Sequence, residues 1–301
     1  MVNKTAKRFY AGTDFNVSDS VEAIAQNIGL DWTIKRENLY HGDFDKSLVN
    51  DYSMMVAVDK DKTKHAIDVI GSKRKFIQNT EILSFFKQMS EHYKLPITSI
   101  GTNNFDVFVN LELPVTLDVK KIGDITKTSL VIYEGRKNNH GIGFYTYFNR
   151  LVCTNGMSQR VKASNVVVSH FEDINMKSVD SLIKEAIAQV KQKETITEVL
   201  AETPMSLEVA SLLLIQEFGD PTKTFDKQPA MVKTCLNLFN GQADGSEMLS
   251  AYQTAYGLMN SVTQYYRGSQ PNTDSFLSVL NGSNAQKIRS FERVLVGNAV
   301  K

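Results

Sequence analysis

The stretch HGIGFYTYFNRLVCT, residues 140–154, decides the fold class. Successive side chains of a strand point to opposite faces, and here both faces carry large residues: Phe144, Phe148 and Val152 on one, Tyr145, Tyr147 and Leu151 on the other. A strand covered on both sides belongs in the middle of a sheet. Asn155-Gly156 then turns the chain toward a further strand, SNVVVSHF.

Toward the N-terminus the same two-residue period recurs in SLVIYEGR and in FDVFVNLEL. In FDVFVNLEL, Phe105, Val107, Val109, Leu111 and Leu113 share a face opposite Asp106, Asn110 and Glu112. DYSMMVAVD and KHAIDVIGS, joined by the polar turn KDKTK, read as a hairpin. Two helices interrupt the strands. DSVEAIAQNIGL has Ser20 or Asp19 as cap and Gly29 as stop, and NTEILSFFKQMSEHY has Asn79 as cap. Toward the C-terminus the period changes to that of helices, from KSVDSLIKEAIAQVKQ through SNAQKIRSFERVLVGN, with Pro229 placed for a first turn. The expected fold is α+β: a mainly antiparallel sheet packed on a long helix over residues 1–175, and an appended helical region over 176–301.

Composition fits a globular chain, with 42% hydrophobic and 22% charged residues among 301. MVNKTAKRFYAG has no apolar run behind its basic residues, and the longest apolar run, VASLLLI, is far short of a bilayer span. Cys153 and Cys235 stand far apart without CxxC spacing. These features predict a cytoplasmic protein with free thiols and no membrane association. Residues 1–165 hold 22 Lys and Arg against 18 Asp and Glu, so the remainder holds 12 against 15. A basic half joined to an acidic half hints at a polyanion-facing surface.

No phosphate-binding loop is present: GSKRKF lacks the GxxxxGK[ST] spacing, and the GIG of residues 141–143 leads into a strand. An activity independent of ATP, with no cofactor, is expected. His41, His65, His92, His140 and His170 are scattered, without the spacing of a zinc site. Cys153 reads as packed rather than as a nucleophile paired with His140 or His170. Asp124 and Glu134 with Arg136 or Lys137 imitate a nuclease's acid, acid, base set around a divalent metal, although arginine cannot be deprotonated to assist water.

Basic and aromatic clusters carry the remaining signal. Lys73, Arg74, Lys75 and Phe76 follow a strand directly. Arg136 and Lys137 open the loop GRKNNHG, and Arg150, Arg160 and Lys162 follow the aromatic strand with Tyr145 and Tyr147. Cations neutralise phosphates and release counterions, while exposed rings stack on unpaired bases. These eleven residues form the expected nucleic-acid surface, with Arg150 structural instead if it is buried against a carboxylate.

At these residues the chain resembles a known family. VIGSKRKFIQNTEILSFF, NNHGIGFYTYFNRLVCTNGM, VVVSHFEDINMKSVDSLIKEA, TAYGLMNSVTQYYRG and FLSVLNGSNAQKIRSFERVL are similar, in order, to blocks of the phage/plasmid-like family catalogued as domain of unknown function 932. That resemblance implies a phage, prophage or plasmid origin. Its layout also looks like the single-strand annealing recombinases of the Rad-fifty-two superfamily, which implies ATP-independent rings or filaments binding single strands in a basic groove. The leading expectation is a homo-oligomeric single-stranded DNA binding and annealing protein. The alternatives are a non-enzymatic module acting on a host protein, and the metal-dependent nuclease.

Overall fold

The computed structural model describes residues 9–12, 18–42, 48–103, 105–119, 124–137, 141–150, 158–161, 176–241, 253–267 and 283–299. It contains two antiparallel sheets and separates into two compact units that interleave along the chain. The first takes residues 1–113, 130–145 and 162–185; the second takes 114–129, 146–161 and 186–301. The two units alternate along the chain instead of meeting at one point in it. Strands that begin in one unit end in the other, which a change of period along the chain does not reveal.

In the first unit, helix α1 (Val21–Asn27) starts where the Ser20 hydroxyl accepts the Ala23 N–H at 3.2 Å. It stops at Gly29, whose φ of 75° is the left-handed conformation glycine adopts without penalty. Strands β2 (Thr33–Tyr40), β3 (Leu48–Val58) and β4 (Lys64–Gly71) form a three-stranded sheet in that order. The β3–β4 hairpin is the one expected. Its ladder slips between Met55 and Val56, leaving Ile67 as an extra residue on β4. Strand β2 was not anticipated, because TIKRENLY carries polar residues on both faces.

Helix α2 (Asn79–Tyr93) buries Ile82, Phe85, Phe86 and Met89. Its cap is Gln78 rather than Asn79: the Gln78 N–H donates to the Glu81 carboxylate at 2.7 Å in a capping box. Asn79 is left for another task.

The larger sheet has six strands in the order β1 (Phe9–Gly12), β5 (Ile97–Asn103), β6 (Asp106–Val119), β7 (Asp124–Glu134), β8 (Ile142–Arg150), β9 (Ser158–Val161). β8 lies between β7 and β9, and Ile142 through Thr146 are all buried, as a central strand requires. Asp106, on the face of β6 opposite Val107 and Val109, is buried as well. The strand expected from SNVVVSHF, together with Cys153, His140 and His170, lies outside the described residues.

The second unit gathers most of α3 (Met176–Glu202), with α4 (Leu207–Phe218), α5 (Ala230–Phe239), α6 (Ala255–Arg267) and α7 (Ser283–Ala299). Its core joins Leu117 and Val119 of β6 to Val190 of α3, Leu214 of α4, Phe239 of α5 and Phe291 of α7. α3 is 27 residues long, but its Val190 and Leu200 enter this helical core. The picture of one sheet laid on one long helix is coarser than what is found. Pro229 stands at the N-cap of α5, one residue before the first turn. Cys235 is buried in this core, and burial pushes its thiol up, away from the reactive thiolate. No helix among the described residues is long and apolar enough to cross a membrane.

An ion pair lies inside this unit. Lys193 of α3 is buried against the Glu292 carboxylate of α7, and burial pushes its ammonium down to about 7. Above that pH the folded chain has released a proton that the unfolded chain still holds. Stability should therefore rise with pH from about 7 toward the ordinary lysine value of 10.5. Urea midpoints at the two ends of that window should differ in this sense, and Lys193→Met should flatten the difference.

Candidate nucleic-acid interface

The segment between β4 and α2 is an irregular loop held by side chains at both ends. Arg36 of β2 reaches across its sheet, donating to the Ser53 hydroxyl at 3.0 Å and to the carbonyl oxygens of Gly71, Ser72 and Arg74. The same guanidinium lies 5.9 Å from the centre of the half-buried Phe76 ring. Further on, the Gln78 side chain bonds Ile34 like a missing strand: its oxygen accepts the Ile34 N–H and its NH2 donates to the Ile34 carbonyl, both at 2.9 Å. Three carbonyls turned toward one guanidinium leave Lys73 and Lys75 exposed on the outer side, with Arg74 buried between them. Burial pushes the Arg74 guanidinium down from its ordinary value, with Asp68 and Glu134 acting in the other direction.

Two aromatic residues that the sequence reading did not single out lie at this end of the three-stranded sheet. Tyr52 is 55% exposed and faces Gly71 across the ladder, while Tyr40 is 60% exposed and faces Leu48. A Cβ built on Gly71 would meet no atom within 4 Å, so the space opposite Tyr52 is open. Exposed Val69 adds apolar surface there, and exposed Asp51 a negative charge. Alternation in DYSMMVAVD sorts Tyr52, Met54, Val56 and Val58 onto one face. The other face is nearly as apolar, so the pattern does not say which is open.

Arg136 of the second basic segment is buried. Arg136 and Glu134 are each 1% exposed and form an ion pair, Nη2 to Oε2, at 2.7 Å. Arg136 Nη1 donates to Asn79 Oδ1 at 2.6 Å, and its guanidinium lies 5.1 Å from the centre of the Trp32 ring. Asn79 in turn donates to the carbonyls of Leu30 and Trp32, at 2.8 and 2.7 Å. Asp106 accepts the Arg136 backbone N–H at 2.7 Å and the Tyr133 hydroxyl on its other oxygen. Burial raises the Glu134 carboxyl above its ordinary value, although Arg136 opposes it, and burial with Asp106 raises the Tyr133 phenol.

Arg74, Arg136 and Tyr145, expected on the surface, are buried. Tyr145 is 6% exposed, and its ring fills the space a Cβ on Gly143 would need, with the hydroxyl 2.5 Å from that position. Lys137 is half-buried, its ammonium 5.4 Å from the centre of the Phe105 ring. Tyr147 and Arg160 pair in register across β8 and β9, and Arg150 ends β8. Of these three only the strand backbone is described, and Lys162 lies outside the described residues.

Asp124 and Glu134 of the nuclease reading lie on one strand. Asp124 and Glu134 are the two ends of β7, and ten strand residues at roughly 3.3 Å each separate them by about 33 Å. Glu134 is, moreover, committed to Arg136. Among the described residues no group of three His, Cys, Asp or Glu side chains could hold a metal ion.

Removing one partner of a buried ion pair strands the other. Arg136→Ala is expected to cost roughly 3–5 kcal/mol in denaturant unfolding, and an apolar pair such as Glu134→Leu with Arg136→Met should recover much of it. A phosphate ligand would behave otherwise, changing the salt dependence of binding and leaving the unfolding midpoint in place.

Comparison with curated proteins gives no match, and neither does comparison with solved structures. The family model described as Domain of unknown function (DUF932) matches residues 66–291, from within β4 to within α7, an interval that holds the loop with Lys73 and Lys75 and the Glu134–Arg136 pair. The chain belongs to the DUF932 family.

Proposed function

We propose that this chain binds single-stranded nucleic acid, DNA in preference to RNA, and brings complementary strands together without nucleotide hydrolysis. The observation that carries the reading is the braced loop: Lys73 and Lys75 are exposed on a backbone whose carbonyls are held by Arg36, and Tyr52, opposite Gly71 where that loop leaves the sheet, is exposed as well. Exposed cations on a braced backbone, with an exposed ring at the same end of the sheet, suit an unpaired strand, since the ammonium groups replace counterions and the ring offers a stacking face. Lysine ammonium groups act as point charges and do not read base edges, so binding would be indifferent to sequence.

The wider picture is a phage-type protein working as a homo-oligomer in the bacterial cytoplasm, by analogy with annealing recombinases of the Rad-fifty-two superfamily. Family likeness and the absence of a phosphate-binding loop support it. Fold-level analogy carries no functional proof, and the site must.

Fluorescence anisotropy with a labelled oligothymidylate tests the reading. Affinity should fall with salt, and Lys73→Ala with Lys75→Ala should reduce the slope of log affinity against log salt by about 1.4, at roughly 0.7 per single-strand phosphate. Tyr52→Ala should weaken binding by roughly 1–3 kcal/mol while leaving that slope unchanged. Annealing of complementary oligonucleotides should proceed without ATP. Binding without a salt slope, or a slope indifferent to both lysines, would refute the assignment to this loop. No binding at all would favour a protein-interaction module instead.

A further inference from the structure

A cleft of about 730 Å³ opens in the first unit between α1, the chain leading into β2 and the first turn of α2. Its volume is that of a small-ligand pocket. Ala25, Leu30, Trp32 and Ile34 give it buried apolar walls. Gln26, Lys35, Thr80 and the Asp31–Lys60 ion pair (2.9 Å) form an exposed polar rim with Glu22.

The charges around this rim cancel, two lysines against two carboxylates. A lining of that kind does not draw an anion inside. It suits a neutral group that is apolar over most of its surface and polar at one edge, where Gln26 and Thr80 can bond it. The wall is also set rather than adaptable. Asn79 fixes the Trp32 carbonyl, Arg136 lies over its indole ring, and Phe105 meets that ring edge-on, with centres 5.6 Å apart.

The cleft adjoins the basic loop through the chain itself. Gln78 lines the cleft and stands three residues beyond Lys75, a span of at most about 11 Å. A strand whose phosphates lie on Lys73 and Lys75 can place a neighbouring base at the cleft mouth. We propose that the cleft receives an unstacked nucleobase of the bound strand, an inference that rests on the strand-binding reading above. A base turned out of its stack is what such pockets recognise in single strands.

Trp32 is the single tryptophan among the 301 residues, so tryptophan emission, excited selectively beyond the absorption of the 11 tyrosines, reports on this cleft. The full chain is titrated with a labelled oligothymidylate and with an abasic strand of equal length, recording Trp32 emission and anisotropy together. The base-bearing strand should change the emission; the abasic strand should not, and should bind roughly tenfold more weakly. Gln26→Phe, at an exposed position on the rim, should abolish the emission change while the salt slope due to Lys73 and Lys75 persists. Anisotropy showing tight binding with Trp32 emission unmoved would overturn the cleft assignment and leave strand binding standing. An equal emission change with the abasic strand would also overturn it. If neither strand binds, both readings fall.

Discussion

A guanidinium and a carboxylate taken out of water together set the terms for the first unit. Desolvating two charges costs several kcal/mol each, and their attraction repays this only when the remaining donors and acceptors find partners. Arg136 and Glu134 meet that condition in part through Asn79, with the Trp32 ring over the guanidinium and Asp106 holding the Arg136 backbone. The start of α2, the chain before β2, the start of β6 and the end of β7 therefore converge on one point. A buried pair of this kind is weak evidence for added stability, but it tolerates no shift of the elements that meet there.

Much of the fold was legible because its signals are local. Ser20 and Gly29 bound α1, Ser206 and Gly219 bound α4, and the turn between β3 and β4 needs only the polar residues that form it. The candidate site was less legible because its determinants are distant in sequence. Asn79 looks like a cap and instead meets a guanidinium 57 residues away. Arg136 looks like half of a basic loop, and nothing beside it announces burial except Glu134, two residues earlier, which the spacing of a strand places on the same side. Arg74 sits between two lysines with the same charge and the opposite environment. Within GSKRKF only the path of the backbone separates them, and that path is set by Arg36, far upstream.

The loop also shows how a surface can be cationic without being loose. Like charges in sequence repel, and long side chains lose rotamer freedom when held. Here the backbone is fixed by its carbonyls, while the Lys73 and Lys75 stems remain free to follow a phosphate. The ring of Tyr52 has few rotamers to lose. Together they join a rigid base to mobile charges, an arrangement that fits a ligand whose backbone geometry varies from one nucleotide to the next.

The interleaving of the two units has a consequence for biosynthesis. The ribosome delivers residues 114–129 and 146–161, which belong to the second unit, before the first unit has received its last piece at residue 185. At roughly 5–20 residues per second, the 72 residues from 113 to 185 take about 4–14 s to be translated. During that interval the nascent β-strands wait with open edges, the state most prone to pairing with a neighbouring chain. Slow elongation or sparse chaperones would be felt first here, as insoluble nascent chains.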